Sequence, residues 1–385
     1  MTIKDLNNFI NKKYSHLKIE IPIKNFSGKR IAIDFFDWMY ANYQVIHSHH
    51  IDSIDILNED IDMFTLQKDY LNNLIRFIKY WTSYNITPII VMDGETPELK
   101  KETKKKRGEK RDKIKNEIDK IYTEIDNIIN NDILENIDEL VIKLKSKTKN
   151  LVIIPNEIIE LSKLLITSLG IPCIQAIGDA EKVCANLCRE GIVAGVYSDD
   201  IDTLAFGSPL MIKEFSKDRK NLVCIRLDHL LTEFKMDYTQ FVDFCILCSC
   251  DYNVNIPNLG VVNSYKQIIQ YKRIENIEAK YDYECLKHEA CRNEFKIINS
   301  KNLILKRYLP ENIEADFYDI IEIYNLEFFD NYELDDNLIY LIKSINNLLK
   351  FNKPGHSIKF DLDIIQEKKL CNLQPRKIIN KRIKK

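Results

Sequence analysis

Four aspartates hold comparable places in the chain. Asp34 lies in KRIAIDFF (29–36), Asp93 in TPIIVMDG (87–94), Asp179 ends GIPCIQAIGD (170–179) and Asp200 ends IVAGVYSDD (192–200). Each run is continuously apolar rather than alternating, which fits a strand buried on both faces. Each aspartate therefore falls at the C-terminal end of a predicted strand. In an open parallel sheet, ligands bind outside those ends. Glu181, Asp202 and Asp251 lie near three of the same points, in sequence or by inference. Seven carboxylates in one cleft repel strongly unless cations neutralise them. Oxygen ligands without His or Cys suit Mg²⁺, with Mn²⁺ as a substitute. Two such ions, about 3.5–4 Å apart, form the clamp used for phosphodiester hydrolysis. Taken alone, SDDID (198–202) reads equally well as an acidic turn, and Asp179 before AEKV as a helix N-cap. The joint pattern supports the metal reading. Asp199 has no place in it, and is expected to face away or to tune the site from behind.

The elements that would position these acids follow from the periodicity. Apolar spacings of three and four predict helices over 63–83, 156–168 and 180–190, the last two followed by Gly170 and Gly191. A further strand is predicted in PLMIKEF (209–215). Strands alternating with helices imply an α/β fold with a largely parallel sheet covered on both sides. An insertion, 98–149, interrupts this rhythm. Lys100, Lys104, Arg107, Arg111, Ile114, Ile118, Ile121, Ile125 and Ile128 form one helical stripe, basic in its first half and isoleucine in its second. After a turn at Asn130-Asn131-Asp132, Ile133, Ile137, Leu140, Val141 and Leu144 supply a partner face. The stretch reads as a helical hairpin, packed together at its far end and basic where it meets the body. A lysine-rich face is often only solvated. Here Lys100 and Arg107 stand two turns apart, just beyond MDG (92–94), where Arg can hold a phosphate bidentately and Lys acts as a point charge.

From about 239 the chain reads as helical. FVDFCILCSCDY (241–252), the turn IPNLG (256–260) and VVNSYKQIIQY follow one another. Gly260 and the helix N-terminus after it can present N–H groups to a phosphate, although a plain hairpin turn fits too. Residues 275–350 read as helices, and 366–385 as a basic tail.

The 385 residues are 45% hydrophobic and 30% charged, with net charge −2, a soluble globular composition. The balance hides segregation: residues 100–115 carry ten Lys/Arg against three acids, while 51–62 carry five acids and no base. A focused basic segment can bind polyanions whatever the total charge. No apolar stretch approaches a membrane span, and MTIKDLNNFI lacks the apolar core of a secretory signal. Ten cysteines without a regular framework fit reduced thiols inside a cell. Those in CILCSC (245–250) and CLKHEAC (285–291) read as small core residues rather than zinc ligands. HSHH (47–50) reads as a polar loop.

The order and content of five segments resemble the flap endonuclease branch of the XPG-type structure-specific 5′ nucleases. They are IAIDFFDWMY (31–40), VMDGETPELKKETKKKRGEKR (91–111), GIPCIQAIGDAEKVCANL (170–187), SDDIDTLAFGSP (198–209) and FVDFCILCSCDYNVNIPNLG (241–260), together spanning about residues 1–275. The resemblance implies a PIN-like 5′ nuclease fold, with a helical arch over the site and a helix–two-turn–helix element that grips duplex backbone. It divides the chain into a nuclease region (1–110), the arch (98–149), an internal nuclease region (150–275, with the helix–two-turn–helix over about 241–271), a helical C-terminal region (276–365) and the tail. It implies that Asp34, Asp93, Asp179 and Glu181 hold a first metal ion and Asp200, Asp202 and Asp251 a second. Lys100 and Arg107 would stabilise charge on the scissile phosphate. Tyr40 would stack on a base, and Lys104, Arg111 and Gly260 would touch DNA. The expected activity is hydrolysis of branched or flap DNA, with a 5′→3′ exonuclease or recombination nuclease as the near alternative. An RNA nuclease and an inactive DNA-binding relative stand further off. The expected partner is DNA with a 5′ flap, nick, gap or free 5′ end, bound by a monomer inside the cell, in the nucleus or at a viral replication site in the cytoplasm. Sequence departures mark a divergent member. Thr2 stands where the family has Gly, Phe35 and Phe36 where it has small residues, Asp179 where it has Glu, and Asn258 where it has Gly. No box for docking on a sliding clamp is visible near the C-terminus.

Overall fold

Ile31, Ala32 and Ile33 are fully buried, and they alternate between the two sides of the sheet as a pleat requires. They form β2 (Arg30–Asp34), at the centre of a mixed sheet that has nine strands among the described residues. The computed structural model describes residues 3–131, 137–253, 256, 259–277, 287–297, 305–307 and 317–318. The remaining elements, in chain order, are α1 (Leu6–Lys13), β1 (Ile19–Pro22), α2 (Phe35–Ser53), α3 (Met63–Ser83), β3 (Thr87–Met92), α4 (Lys101–Asn130), α5 (Ile137–Asn150), α6 (Asn156–Ser168), β4 (Cys173–Gln175), α7 (Ala180–Arg189), β5 (Val196–Tyr197), α8 (Asp202–Ala205), β6 (Leu210–Phe215), β7 (Asn221–Arg226), α9 (Leu227–Phe234), α10 (Tyr238–Leu247), α11 (Val261–Tyr271), α12 (His288–Glu294), β8 (Leu305–Arg307) and β9 (Phe317–Tyr318).

The strand order is β1-β7-β6-β5-β2-β3-β4-β8-β9. The central five strands run parallel. The pairs β1/β7, β6/β7, β4/β8 and β8/β9 are antiparallel. Ile31, Ile33, Ile90 and Met92 face α2, α3 and α6, where Trp38, Tyr70, Leu74, Trp81 and Ile158 fill the core. Ala32, Ile89, Val91 and Ile174 face α7, through Ala180, Val183, Cys184 and Leu187. A third cluster joins α1 to α8 through α11. Cys245, Cys248 and Cys250 are buried in it as small apolar side chains.

The hairpin is observed: Ile118, Ile121 and Ile125 of α4 pack on Leu140 and Leu144 of α5, with Ile114, Ile128 and Val141 at the margin. It does not stand alone. The same cluster contains Ile51 and Ile56, so the isoleucine end is docked on the end of α2 and the segment joining it to α3. Lys145 Nζ donates to the carbonyls of Asp52 and Ile54 there.

Two readings are corrected. HSHH lies on α2, not in a loop. Residues 275–350 are not wholly helical: β8 and β9 extend the sheet from the β4 edge. β1 and β7 lie where no strand is predicted; they pair with each other, and β7 also pairs with β6. Thr2, Asp132, Ile133, Asn258 and the basic tail lie outside the described residues.

Candidate active site

The acids gather because the parallel strands end on one edge of the sheet. Asp34 is the last residue of β2 and is buried. Asp93 follows β3 directly and turns back to accept from the Ala180 backbone N–H at 2.8 Å. Asp93 thereby caps α7 from outside its own segment, although Asp179 holds the N-cap position. Asp179 makes no side-chain cap bond, so its carboxylate is free to point into the cleft. There it accepts from Lys100 Nζ at 2.7 Å and from the Tyr252 hydroxyl. One carboxylate oxygen each from Asp93, Asp179 and Glu181 lie within 4.8 Å of one another.

The other acids complete the wall. Asp200 accepts from the Asp202 backbone N–H at 3.0 Å, and Asp202 accepts from the Ile3 backbone N–H at 2.7 Å. The N-terminal segment is thereby tied to the site. Asp251, after α10, accepts from Arg107 Nη2 at 2.6 Å and lies 3.6 Å from Lys100 Nζ. Thr103 Oγ1 donates to the Asp251 carbonyl at 2.9 Å, which fixes the base of the arch on this turn.

Electrostatics records the crowding. Burial, then Glu181, Asp93, Asp37 and Asp200, pushes the Asp34 carboxyl well above its usual range. Burial and then Asp93 push Glu181 up to about 8. Asp202 is raised by burial and by Asp200. Burial works against the charge on Lys100, but Glu181, Asp179 and Asp251 outweigh it and raise its pKa. Glu181 Oε2 is buried with no hydrogen-bond partner. A buried carboxylate oxygen without a donor is costly. Beside two more carboxylates it is the coordination expected of a hard cation, which takes oxygen ligands. The donor set therefore fits a divalent metal ion.

The residues expected to touch DNA make no hydrogen bond or ion pair with these acids. Tyr40 is 47% exposed on α2. Lys104 Nζ donates to Thr96 Oγ1 at 3.0 Å rather than to an acid, and Arg111 is exposed further along α4. Gly260 caps α11 in an extended conformation, φ −84°, that any residue can adopt. Sequence reasoning missed Asp37, Ser198 and Tyr252. Asp37 was visible three residues after Asp34, but only the fold brings it to the SDDID turn. Asp199 is exposed and pairs with Lys213, facing away as expected.

The XPG N-terminal domain family matches residues 1–114 and the XPG I-region matches 170–251. "Flap endonuclease 1" of Mycosarcoma maydis is 30% identical over 280 residues, 72% of this chain and 70% of that protein. The chain belongs to the XPG-type 5′ nuclease family. Another XPG-type relative, "Flap endonuclease 1" of Cryptosporidium muris, is 34% identical over 294 residues, 73% of this chain and 58% of its own length. The chain thus spans under three fifths of that relative. The solved catalytic core of Rad2 in complex with DNA substrate shares the fold, with a TM-score of 0.53 at 16% identity, over 94% of this chain and 92% of that one. As expected of the XPG-type fold, the sheet is mixed and largely parallel, and helices flank it on both sides. Among the described residues, no helix is long and apolar enough to cross a membrane.

Proposed function

We propose that this chain is a divalent-metal-dependent 5′ nuclease that hydrolyses phosphodiester bonds in branched DNA, with 5′ flaps as its preferred substrate. The observation that carries the reading is the partnerless Glu181 Oε2 inside the Asp93–Asp179–Glu181 cluster, directly below the arch bases. Asp34, Asp93, Asp179 and Glu181 hold one cation, and Asp200, Asp202 and Asp251 a second. Mg²⁺ is the natural ion for such a set, and Mn²⁺ a substitute. A bound cation supplies Lewis-acid polarisation of the phosphodiester and favours a hydroxide nucleophile near neutral pH.

The protein's own groups do the rest. Lys100 stays protonated among the acids and gives a point charge to the phosphate oxygens. Arg107 offers its planar fork to the same group. Arg107 lies on α4 and Lys100 in the short turn that leads into it, and both are held by the acids, so their placement costs little reorganisation during reaction. Tyr40, exposed on α2, gives a stacking face to a base. Lys104 and Arg111 draw the single strand along the arch, and the N-terminus of α11 meets duplex phosphate. The chain works inside the cell, where DNA is processed.

End-labelled flap, nicked, gapped and blunt DNA, with a matching RNA, tests this in Mg²⁺ and in EDTA beside Asp200→Asn. Cleavage that survives EDTA or the substitution sinks the metal reading. Preference for nicked or blunt duplex over flaps replaces the flap reading with the exonuclease one.

A further inference from the structure

Asp37 is an acid that the seven-carboxylate site does not need. It lies in the first turn of α2, where a carboxylate commonly serves its own helix N-terminus. Instead its Oδ2 reaches the turn after β5. It accepts from the Asp199 backbone N–H at 2.6 Å and is 3.4 Å from Ser198 Oγ. Ser198 is buried and central to a small relay. Its Oγ lies 3.3 Å from Asp34 Oδ2 and accepts from the Asp200 backbone N–H at 3.0 Å. Asp200 in turn accepts from the Asp202 N–H at 3.0 Å. The turn's three acids are thus sorted. Asp199 faces out to Lys213, while Asp200 and Asp202 face in.

We propose that Asp37 is a positioning residue: by holding the Asp199 N–H and Ser198 hydroxyl it fixes the SDDID turn and aims Asp200 and Asp202 into the cation site across from Asp34. It acts through the turn and not as a ligand. The physical reason is geometric. β5 has only two residues, Val196 and Tyr197, so the ladder ends before the acids begin. Beyond the strand the turn is tied to the rest of the protein through Ser198, which bonds the Ile212 carbonyl at 3.1 Å and meets Asp34, and through the Ile3–Asp202 bond, and Asp37 is the group that holds the Asp199 backbone N–H between them. Groups behind metal ligands commonly matter about 10–100-fold in affinity or activity.

The proposal rests on reading the inward acids as a cation site, so its test separates the two. The full chain is compared with Asp37→Asn, whose amide oxygen can still accept from Asp199, and Asp37→Ala, which cannot. Hydrogen exchange over 198–206 in EDTA reads the turn directly. Mn²⁺ titration by calorimetry reads the site, and kcat against KM on a flap reads function. Asp37→Ala is expected to speed exchange at 198–202, weaken Mn²⁺ about tenfold and lower kcat with little change in KM, while Asp37→Asn stays near wild type. If the alanine chain does not fold, Asp37→Ser takes its place, being too short to reach the Asp199 N–H. Unchanged exchange in Asp37→Ala overturns the proposal. So does an asparagine variant as damaged as alanine, which would make the charge itself the contribution. A wild-type chain that takes up no Mn²⁺ overturns the cation reading instead, and the exchange result still decides the role of Asp37 in the turn.

Discussion

Arg107 Nη2 lies 2.6 Å from both carboxylate oxygens of Asp251, across 144 positions of sequence. That contact joins the arch to the turn after α10, and Thr103 reinforces it on the same helix face. The base that would meet the phosphate is therefore already placed by the acid that would hold the ion.

Arg107→Ala and Lys100→Ala are each expected to lower single-turnover flap cleavage by about 10²–10³-fold, the usual cost of losing a donor aimed at developing charge. DNA affinity, measured by anisotropy in Ca²⁺, should change far less. An equal loss in both measurements would mean that the two side chains only bind DNA.

The metal-free protein should lose stability as pH rises. Glu181 is held at about 8, and burial also raises Asp34, Asp93 and Asp202. Between its ordinary value near 4.5 and about 8, the folded Glu181 keeps a proton that the unfolded chain has released. Unfolding then releases protons, so stability falls with pH across this window. Melting temperature in EDTA should drop from pH 5 to pH 8, and Mg²⁺ should restore most of the loss at pH 8. Proton release on Mg²⁺ addition, followed with a pH indicator, gives the same linkage from the other side. A flat melting profile in EDTA would contradict the crowded-acid account.

The arch should loosen independently of the nuclease body. Ile125 and Leu144 are almost fully buried in a cluster made of arch residues, the α2–α3 connector and Ile51 at the end of α2. Ile125→Ala or Leu144→Ala should remove about 2–4 kcal/mol from this local unit, by lost burial and a residual cavity. Limited proteolysis should then cut within 101–150 while the main melting transition stays in place. A fall of the main transition alone would show that the hairpin folds with the body.

Two glycines should behave oppositely. A Cβ on Gly94 would sit 1.9 Å from the carbonyl oxygen of Ala176, on backbone that cannot yield. Gly94→Ala should sharply lower the folded yield, and any folded fraction should have a displaced Asp93 and weak Mn²⁺ binding. At Gly260 an added Cβ meets nothing within 4 Å among the described residues, and the backbone is extended. Gly260→Ala should cost about 1 kcal/mol or less, as an N-cap change, with DNA binding nearly intact. A large loss of affinity there would show that bare backbone at this position touches DNA.

The sequence by itself determined a good deal of this protein. Continuous apolar runs placed the central strands. Three-and-four spacing placed α3 and α6 to the residue and α4 nearly so. Local sterics and solvation set both patterns, so they can be read from neighbours in the chain. Acids after the strands could be assigned to one edge because parallel strands share their C-terminal side. Tertiary structure alone decided what depends on long-range pairing. β1 and β7 become strands because each finds a partner, and β8 and β9 because the β4 edge was open. The isoleucine end of the arch docks on the α2–α3 connector because apolar surface packs wherever the chain brings it close. Asp93, not Asp179, serves α7, and Asp37 reaches the SDDID turn. Such choices depend on distances between separate strands and helices, and residue spacing along one chain does not contain them.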